Sequence, residues 1–397
     1  MNPYLSSLQP YPFEKLAKLN NQRSNSSKQE INLAIGEPKH TPAAFINEEV
    51  ITHLHNLSRY PSTKGTPQLR ESICKWATRR YHLPVDSLDP DQSVIPVNGT
   101  REALFSFAQC VVDHREKPLV VIPNPFYQIY EGAALLSGAE PWFINTTEDT
   151  KWLPDFDSVP DSVWARCQLL YICSPGNPTG AVLDSNSLTN LLELAEKFDF
   201  IIASDECYSE IFYNENTPPP GLLEAAASAG NIEYKRCIAF QSLSKRSNVP
   251  GMRSGFVAGD KDIIGKYLRY RTYHGSAMPL HHQAASSMAW QDEQHVIENR
   301  TNYRKKFDKV MQILGNTIQV EQPDASFYLW PKTPIDDATF ARELFLRENV
   351  TVLPGSYLSR EAHGINPGQG RVRIALVSQQ DECVEAAHRI VQLTQSL

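Results

Sequence analysis

Lys245 stands in the string IAFQSLSKRSNVPGMR (Ile238–Arg253), flanked by Ser242 and Ser244 and followed by Arg253. A lysine amine in this setting can form a Schiff base with an aldehyde. The two hydroxyls and the arginine can grip a dianionic phosphate through charge-assisted hydrogen bonds. Taken alone, Ser-x-Ser-Lys is a weak signal and reads more readily as an exposed loop lysine. Further candidates stand upstream. In VNGTREAL, Gly99, Thr100 and Arg101 open a helix, where free backbone N–H groups and the positive dipole end attract an anion. Thr100 also reads as an ordinary N-cap. PNPFYQIY presents Tyr127, an aromatic suited to lie over a planar ligand or to pack in the core. YICSPGNPTG holds Asn177 in a loop stiffened by Pro175, Gly176, Pro178 and Gly180. After the run IIAS come Asp205 and Tyr208. A buried acid is costly unless paired, and a protonated ring nitrogen on a ligand would keep Asp205 ionised. Helix capping is the competing role.

The elements that position these residues follow from the apolar pattern. The β-propensity of Cys237–Phe240 marks a buried strand, while Pro250 and Gly251 open a loop, so Lys245 is expected at the carboxyl end of a strand. Open α/β sheets keep their chemistry there. Strands are expected at Val94–Val97, Leu119–Ile122, Trp142–Ile144, Leu169–Cys173, Phe200–Ala203, Ile238–Phe240 and Phe256–Ala258. Helices are expected at Pro67–Tyr81, Arg101–Asp113, Tyr127–Leu136, Asp184–Lys197 and Asp260–Tyr273. This alternation predicts an α/β fold with a mostly parallel central sheet flanked by helices, in a large domain spanning 46–285. Beyond it follow a long helical pattern (Pro279–Leu314), strands at Ile318–Val320 and Phe327–Trp330, a helix Ala338–Glu348, a strand Val372–Val377 and a closing helix. Residues 1–45 and 286–397 read as one discontinuous, smaller α+β domain. Asn20–Glu30 is a polar loop, and in INLAIGEPKH Gly36 would let backbone approach a ligand closely. Tyr60 reads as core or as a phosphate ligand.

Composition narrows the function classes. The 397 residues, 41% hydrophobic, can bury a large core, and the net charge of −7 with no Lys/Arg cluster argues against a nucleic-acid surface. No run approaches the roughly 18 apolar residues that span a bilayer, and the start MNPYLSSLQPYPFEKL lacks an apolar leader, so a cytoplasmic location is expected. The seven cysteines contain no C-x-x-C pair or metal-ligand spacing and read as reduced thiols. No metal is expected.

Together, SPGNPTG, DECY and SLSK followed by Arg253 closely resemble the fold-type I, class I pyridoxal-phosphate (PLP) aminotransferases, and the resemblance runs from INLAIGEP to RVRIAL. It implies that Lys245 holds the PLP aldehyde and moves the substrate proton, and that Asp205 binds the pyridinium nitrogen. Asn177 and Tyr208 would bind the phenolic oxygen, and Tyr127 would stack on the ring. Gly99, Thr100, Arg101, Ser242, Ser244 and Arg253 would hold the phosphate, joined by Tyr60 from the other subunit of a homodimer. Arg373, in GRVRIAL, matches the arginine that forks onto the substrate α-carboxylate, with Gly36 and Asn177 beside it; Arg371, two residues away on the same strand face, is its confounder. The resemblance also implies cis peptides at Asn124–Pro125 and Asn177–Pro178. Two departures are visible: Gly176 where asparagine or proline is commoner, and ASFY in place of a usual glycine before Phe327.

Within the family, YQIYEGAALLSGAEPWF and HGSAMPLHHQAASSMAW are most similar to bacterial N-succinyldiaminopimelate aminotransferases. The implied reaction moves the amino group of N-succinyl-LL-2,6-diaminopimelate to 2-oxoglutarate, in lysine biosynthesis through diaminopimelate. Aspartate or aromatic aminotransferase activity is the main alternative, with a PLP-dependent C–S lyase behind it. A non-catalytic sensor is disfavoured by the intact Lys245, Asp205 and Arg373. Lys64, Arg23 and the Tyr273–His282 segment could supply a cationic rim for a long acidic substrate, and each also reads as surface charge.

Overall fold

The computed structural model describes residues 1–22 and 24–397. In chain order its strands are β1 (Ile31–Asn32), β2 (Val94–Val97), β3 (Leu119–Asn124), β4 (Glu140–Asn145), β5 (Cys167–Cys173), β6 (Ile201–Asp205), β7 (Cys237–Ser242), β8 (Gly255–Gly259), β9 (Tyr328–Leu329), β10 (Val350–Thr351), β11 (Leu353–Pro354) and β12 (Val372–Ala375). The central sheet runs β2-β8-β7-β6-β5-β3-β4, and only β8 is antiparallel to its neighbours. Side chains alternate between two buried faces, as helices on both sides require. Val121, Leu170, Ile172, Ile202 and Ala239 join one core; Val120, Ile122, Leu169, Tyr171, Ala203, Ile238 and Phe240 join the other.

The register matters for the site. Cys173 pairs with Asp205, Asp205 with Phe240, Ser242 with Gly255, and Gly255 with Val97. The carboxyl ends of β2, β5, β6 and β7 therefore finish level on one edge of the sheet. That single edge receives the loops bearing Gly99–Arg101, Asn177, Asp205 and Lys245.

The remaining strands form a parallel pair, β1-β10, and an antiparallel sheet, β11-β12-β9. Their core includes Ile31, Leu33, Phe307, Leu344, Val350, Ile374 and Ile390, and so joins β1 to the helices Gln294–Leu314, Asp337–Glu348 and Gln380–Ser396.

Two sequence expectations are corrected. The pattern Pro279–Leu314 is not one helix but two, Leu280–Gln291 and Gln294–Leu314. The Asp292 carboxylate accepts from the His295 backbone N–H (3.0 Å) and so starts the second helix afresh. Ile318–Val320 forms no strand: Gln319 takes only one backbone bond, from Lys332 N–H, and its side chain turns to Glu148. Both expected cis peptides, Asn124–Pro125 and Asn177–Pro178, are present, and Ser174–Pro175 is cis as well.

Candidate active site

Lys245 lies in one helical turn, Leu243–Arg246, that begins directly at the end of β7 and is capped by Ser242 Oγ, which accepts from Ser244 N–H at 3.1 Å. Its Nζ donates to the Gly36 carbonyl at 2.6 Å. Burial, with Arg373 and Arg253 nearby, pushes the amine down to about 8 despite an opposing effect of Cys207. A neutral amine is the nucleophilic form, so its availability rises about tenfold per pH unit below that value. If Lys245 holds PLP as the sequence resemblance implies, cofactor-free protein mixed with PLP should bind it covalently at a rate that climbs with pH and levels off above about 8. Stopped-flow absorbance would show this; a flat profile from pH 6 to 9 would contradict the assignment of Lys245 as the attachment point.

A cavity of about 430 Å³ opens beside this turn. Lys245, Arg253, Arg373 and Arg101 line it, against the single carboxylate of Asp205. Such an excess of cations is built for an anionic ligand. Asp205, at the end of β6, is 4% exposed and accepts from Tyr130 Oη (2.6 Å) and from the Cys207 backbone N–H (3.2 Å). Burial raises its pKa, an effect that these bonds and Lys245 only partly oppose. A buried carboxylate in this condition is suited to a cationic group brought by a ligand.

At the end of β2, Gly99 has φ of 80° and starts the helix Thr100–Val111. A Cβ there would lie 2.3 Å from Arg253 Nη2, so only glycine lets the guanidinium sit against this helix N-terminus. Ser242, Ser244 and Thr100 line the same cavity. Thr100 Oγ1 also contacts Cys207 Sγ at 3.0 Å. Tyr127 lines the wall beside Tyr130, edge to face at 5.8 Å, and burial raises its pKa.

On the opposite wall, Arg373 Nη1 donates to Asn177 Oδ1 (2.9 Å) and Nη2 to the Ala34 carbonyl (2.8 Å), while its buried Nε has no partner among the described residues. Its guanidinium lies 4.4 Å from the centre of the Tyr328 ring. The Tyr328 hydroxyl meets that of Tyr208 at 2.9 Å. A Cβ on Gly36 would fall 2.0 Å from Tyr328 Oη, which is why a glycine stands there. Arg371 leaves the site altogether: its guanidinium bonds Glu148 (2.8 Å) and the Trp330 carbonyl (2.9 Å). The serine that replaces the usual glycine before Phe327 is held at φ of 73°, and its hydroxyl takes the Tyr328 N–H at 3.2 Å. A side-chain bond thus accompanies an unfavourable backbone conformation.

Of the expected site residues, Gly36, Thr100, Arg101, Tyr127, Asn177, Asp205, Tyr208, Ser242, Ser244, Lys245, Arg253 and Arg373 all line the one cavity. Gly99 and Tyr60 are not among its lining residues; Tyr60, expected to act on the other subunit's site, is fully exposed at 103%. The Arg101 guanidinium rests 5.3 Å from the Tyr11 ring centre. Lys64 pairs with Asp91 (2.9 Å) and Tyr273 is exposed, and neither lines this cavity; Arg23 lies outside the described residues. Sequence reasoning missed Tyr11, Phe13, Tyr130, Cys207 and Tyr328. Tyr130 and Tyr328 stand inside the quoted strings FYQIY and ASFY, but only the fold shows which atoms they touch.

Comparison with known proteins agrees with this geometry. A family model described as aminotransferase class I and II matches residues 28–390. An aminotransferase structure from Neisseria meningitidis is 48% identical, covers 99% of this chain and 100% of its own, and superposes with a TM-score of 0.94. A Dehalococcoides mccartyi protein named LL-diaminopimelate aminotransferase is 31% identical over 94% of this chain and 93% of its own. A structure from Thermus thermophilus, titled a probable N-succinyldiaminopimelate aminotransferase, is 25% identical with a TM-score of 0.84, covering 96% and 99%.

Proposed function

Since the chain belongs to the class I and II aminotransferase family, whose members work with PLP, we propose that it moves an amino group between N-succinyl-LL-2,6-diaminopimelate and 2-oxoglutarate, in lysine biosynthesis. PLP fits the residues present. Buried Asp205, whose raised pKa Lys245 only partly opposes, would hold the protonated ring nitrogen, and Arg253, Ser242, Ser244, Thr100 and the helix N-terminus at Gly99 would cradle the phosphate. Bound there, PLP supplies an aldehyde that condenses with amines and a ring that accepts the electron pair released at the substrate Cα. Lys245 anchors it, then carries the proton from and to Cα, a role suited to an amine lowered to about 8. Tyr208 and Asn177 orient the ring through its phenolic oxygen. Arg373, already aligned by Asn177 and Ala34 and with Nε unpaired, receives the α-carboxylate in a fork. Tyr127 covers the ring and excludes water. The active unit is a homodimer, with Tyr60 directed to the partner's site, which accounts for its exposure.

The observation that carries the substrate reading is Arg101. Its guanidinium lies along Tyr11 in the wall of the same cavity as Arg373, so one substrate can meet two separate cations. A long acid with a carboxylate at each end satisfies both. The names of the relatives favour a diaminopimelate skeleton, and those named for unsuccinylated LL-diaminopimelate support that donor as a second reading. Competition among donors to 2-oxoglutarate decides, because specificity is a ratio of kcat/KM values. N-succinyl-LL-2,6-diaminopimelate is expected to exceed LL-diaminopimelate, aspartate and phenylalanine. Preference for aspartate or phenylalanine would remove both diaminopimelate readings while leaving the PLP mechanism standing.

A further inference from the structure

A second cavity, of about 330 Å³, shares no lining residue with the active site. It lies where the 40–43 loop, the turn following Lys245 and the helix Gln294–Leu314 meet. Asn299 is its central residue. The Asn299 amide nitrogen donates to the carbonyls of Lys245 (3.3 Å) and Arg246 (3.4 Å), while its Oδ1 accepts from Asn248 Nδ2 (3.0 Å) and from His40 Nδ1 (2.8 Å). The wall of this cavity is therefore hydrogen-bonded to the backbone of the lysine itself.

The lining also defines what would fit. Asn248 is 7% exposed, and its Oδ1 is buried with no partner among the described residues. Leaving such an acceptor unpaired costs about 1–3 kcal/mol, which a ligand donor would offset. His40 is a neutral ring, pushed down to about 4 by burial and Lys306, so with Nδ1 donating to Asn299 its Nε2 is a second acceptor. Around these acceptors stand the cations Lys305 and Lys306, with Glu298 the one acidic side chain in the lining. Lys306 is fixed by the Leu376 and Ser378 carbonyls, both at 2.7 Å. Cations beside unpaired acceptors fit a carboxylate whose neighbouring carbon carries a hydrogen-bond donor.

We propose that this cavity is an effector site for a small α-amino or α-hydroxy acid, whose binding at Asn248 and Lys305 acts on the Lys245 turn through Asn299. Occupancy changes the two bonds that Asn299 Oδ1 accepts, and the same amide group holds the Lys245 and Arg246 carbonyls. The effect on turnover is thus indirect, through the position of the lysine, and does not depend on which donor the enzyme prefers.

The test uses the full-length holoenzyme with the Lys245 linkage reduced by borohydride, titrated calorimetrically with L-serine as the amino-acid probe and L-lactate as the hydroxy-acid probe. At least one should bind saturably and weaken about tenfold or more in Asn248→Gly and Lys305→Glu, the loss of one charge-assisted bond. Glycine is chosen because position 248 has φ of 55° and tolerates it. In unreduced enzyme the bound probe should change kcat about fivefold or more, and Lys305→Glu should keep basal activity but lose that response. Binding of serine alone assigns an amino acid, and of lactate alone a hydroxy acid. No binding, or binding unaffected by both substitutions, overturns the site. Binding without any change in kcat overturns its effector role.

Discussion

Lys245→Ala is expected to lower turnover by at least on the order of 10⁴-fold, since it removes a proton carrier at the reacting carbon together with the covalent anchor. The protein should nevertheless fold. Lys245 makes one side-chain hydrogen bond, to the Gly36 carbonyl, and burial depresses its amine, so its positive charge opposes folding more than it assists. Purified Lys245→Ala should therefore keep the Tm of cofactor-free wild type while losing the visible absorbance that follows addition of PLP. Residual turnover within tenfold of wild type would end the assignment of this lysine. An unfolded variant would show that the residue is structural.

Asp205→Asn should produce opposite effects on stability and function. The carboxylate is buried against Tyr130, and burial raises its pKa, an effect that its hydrogen bonds and the nearby Lys245 only partly oppose. A raised folded-state pKa means that the native state binds more protons than the unfolded one, so cofactor-free wild type loses stability as pH rises above the ordinary carboxylate range. The isosteric amide removes this penalty, and the Tm of cofactor-free Asp205→Asn at neutral pH should exceed that of wild type. With PLP present the order reverses. An amide cannot hold the ring nitrogen in its protonated form, and loss of one partner of a buried pair costs about 3–5 kcal/mol, or on the order of 10²–10⁴-fold in the half-reaction rate. Single-turnover rates with each donor measure it. A rate within a few-fold of wild type would show that Asp205 does not meet the ring nitrogen.

The two carboxylate and amine shifts have one origin. Four cations and one acid line a cavity at the edge where parallel strands end, and desolvation there raises Asp205 while lowering Lys245. Groups arranged in this way are poor for stability and useful only with a ligand in place. The same contrast separates Glu210, also buried, whose pKa is lowered because Arg80, Arg246 and Arg300 more than offset its burial. Glu210 is a structural ion-pair partner, whereas Asp205 is the acid that the proposed function assigns to the cofactor.

Much of this arrangement was legible in residue order. Strand ends, turn residues and helix starts are short-range properties: β-branched runs, prolines and glycines act on their own backbone, which is why β2, β5 and β7 and the loops after them stand where the pattern places them. The resemblance to the aminotransferases rests on the same strings. What residue order left open was settled by contacts between distant segments. Arg371 and Arg373 are indistinguishable two residues apart, yet one turns to Glu148 and the other to Asn177. Arg101 belongs to a phosphate motif by position, but its guanidinium meets Tyr11 from the chain start. The long helical pattern after residue 279 breaks where Asp292 caps a new turn. Asn299, whose own neighbours carry no sign of it, reaches the backbone of Lys245. In each case the deciding partner lies far along the chain, and a side chain's direction is fixed by the packing that brings that partner within a few ångströms, which local propensity does not encode.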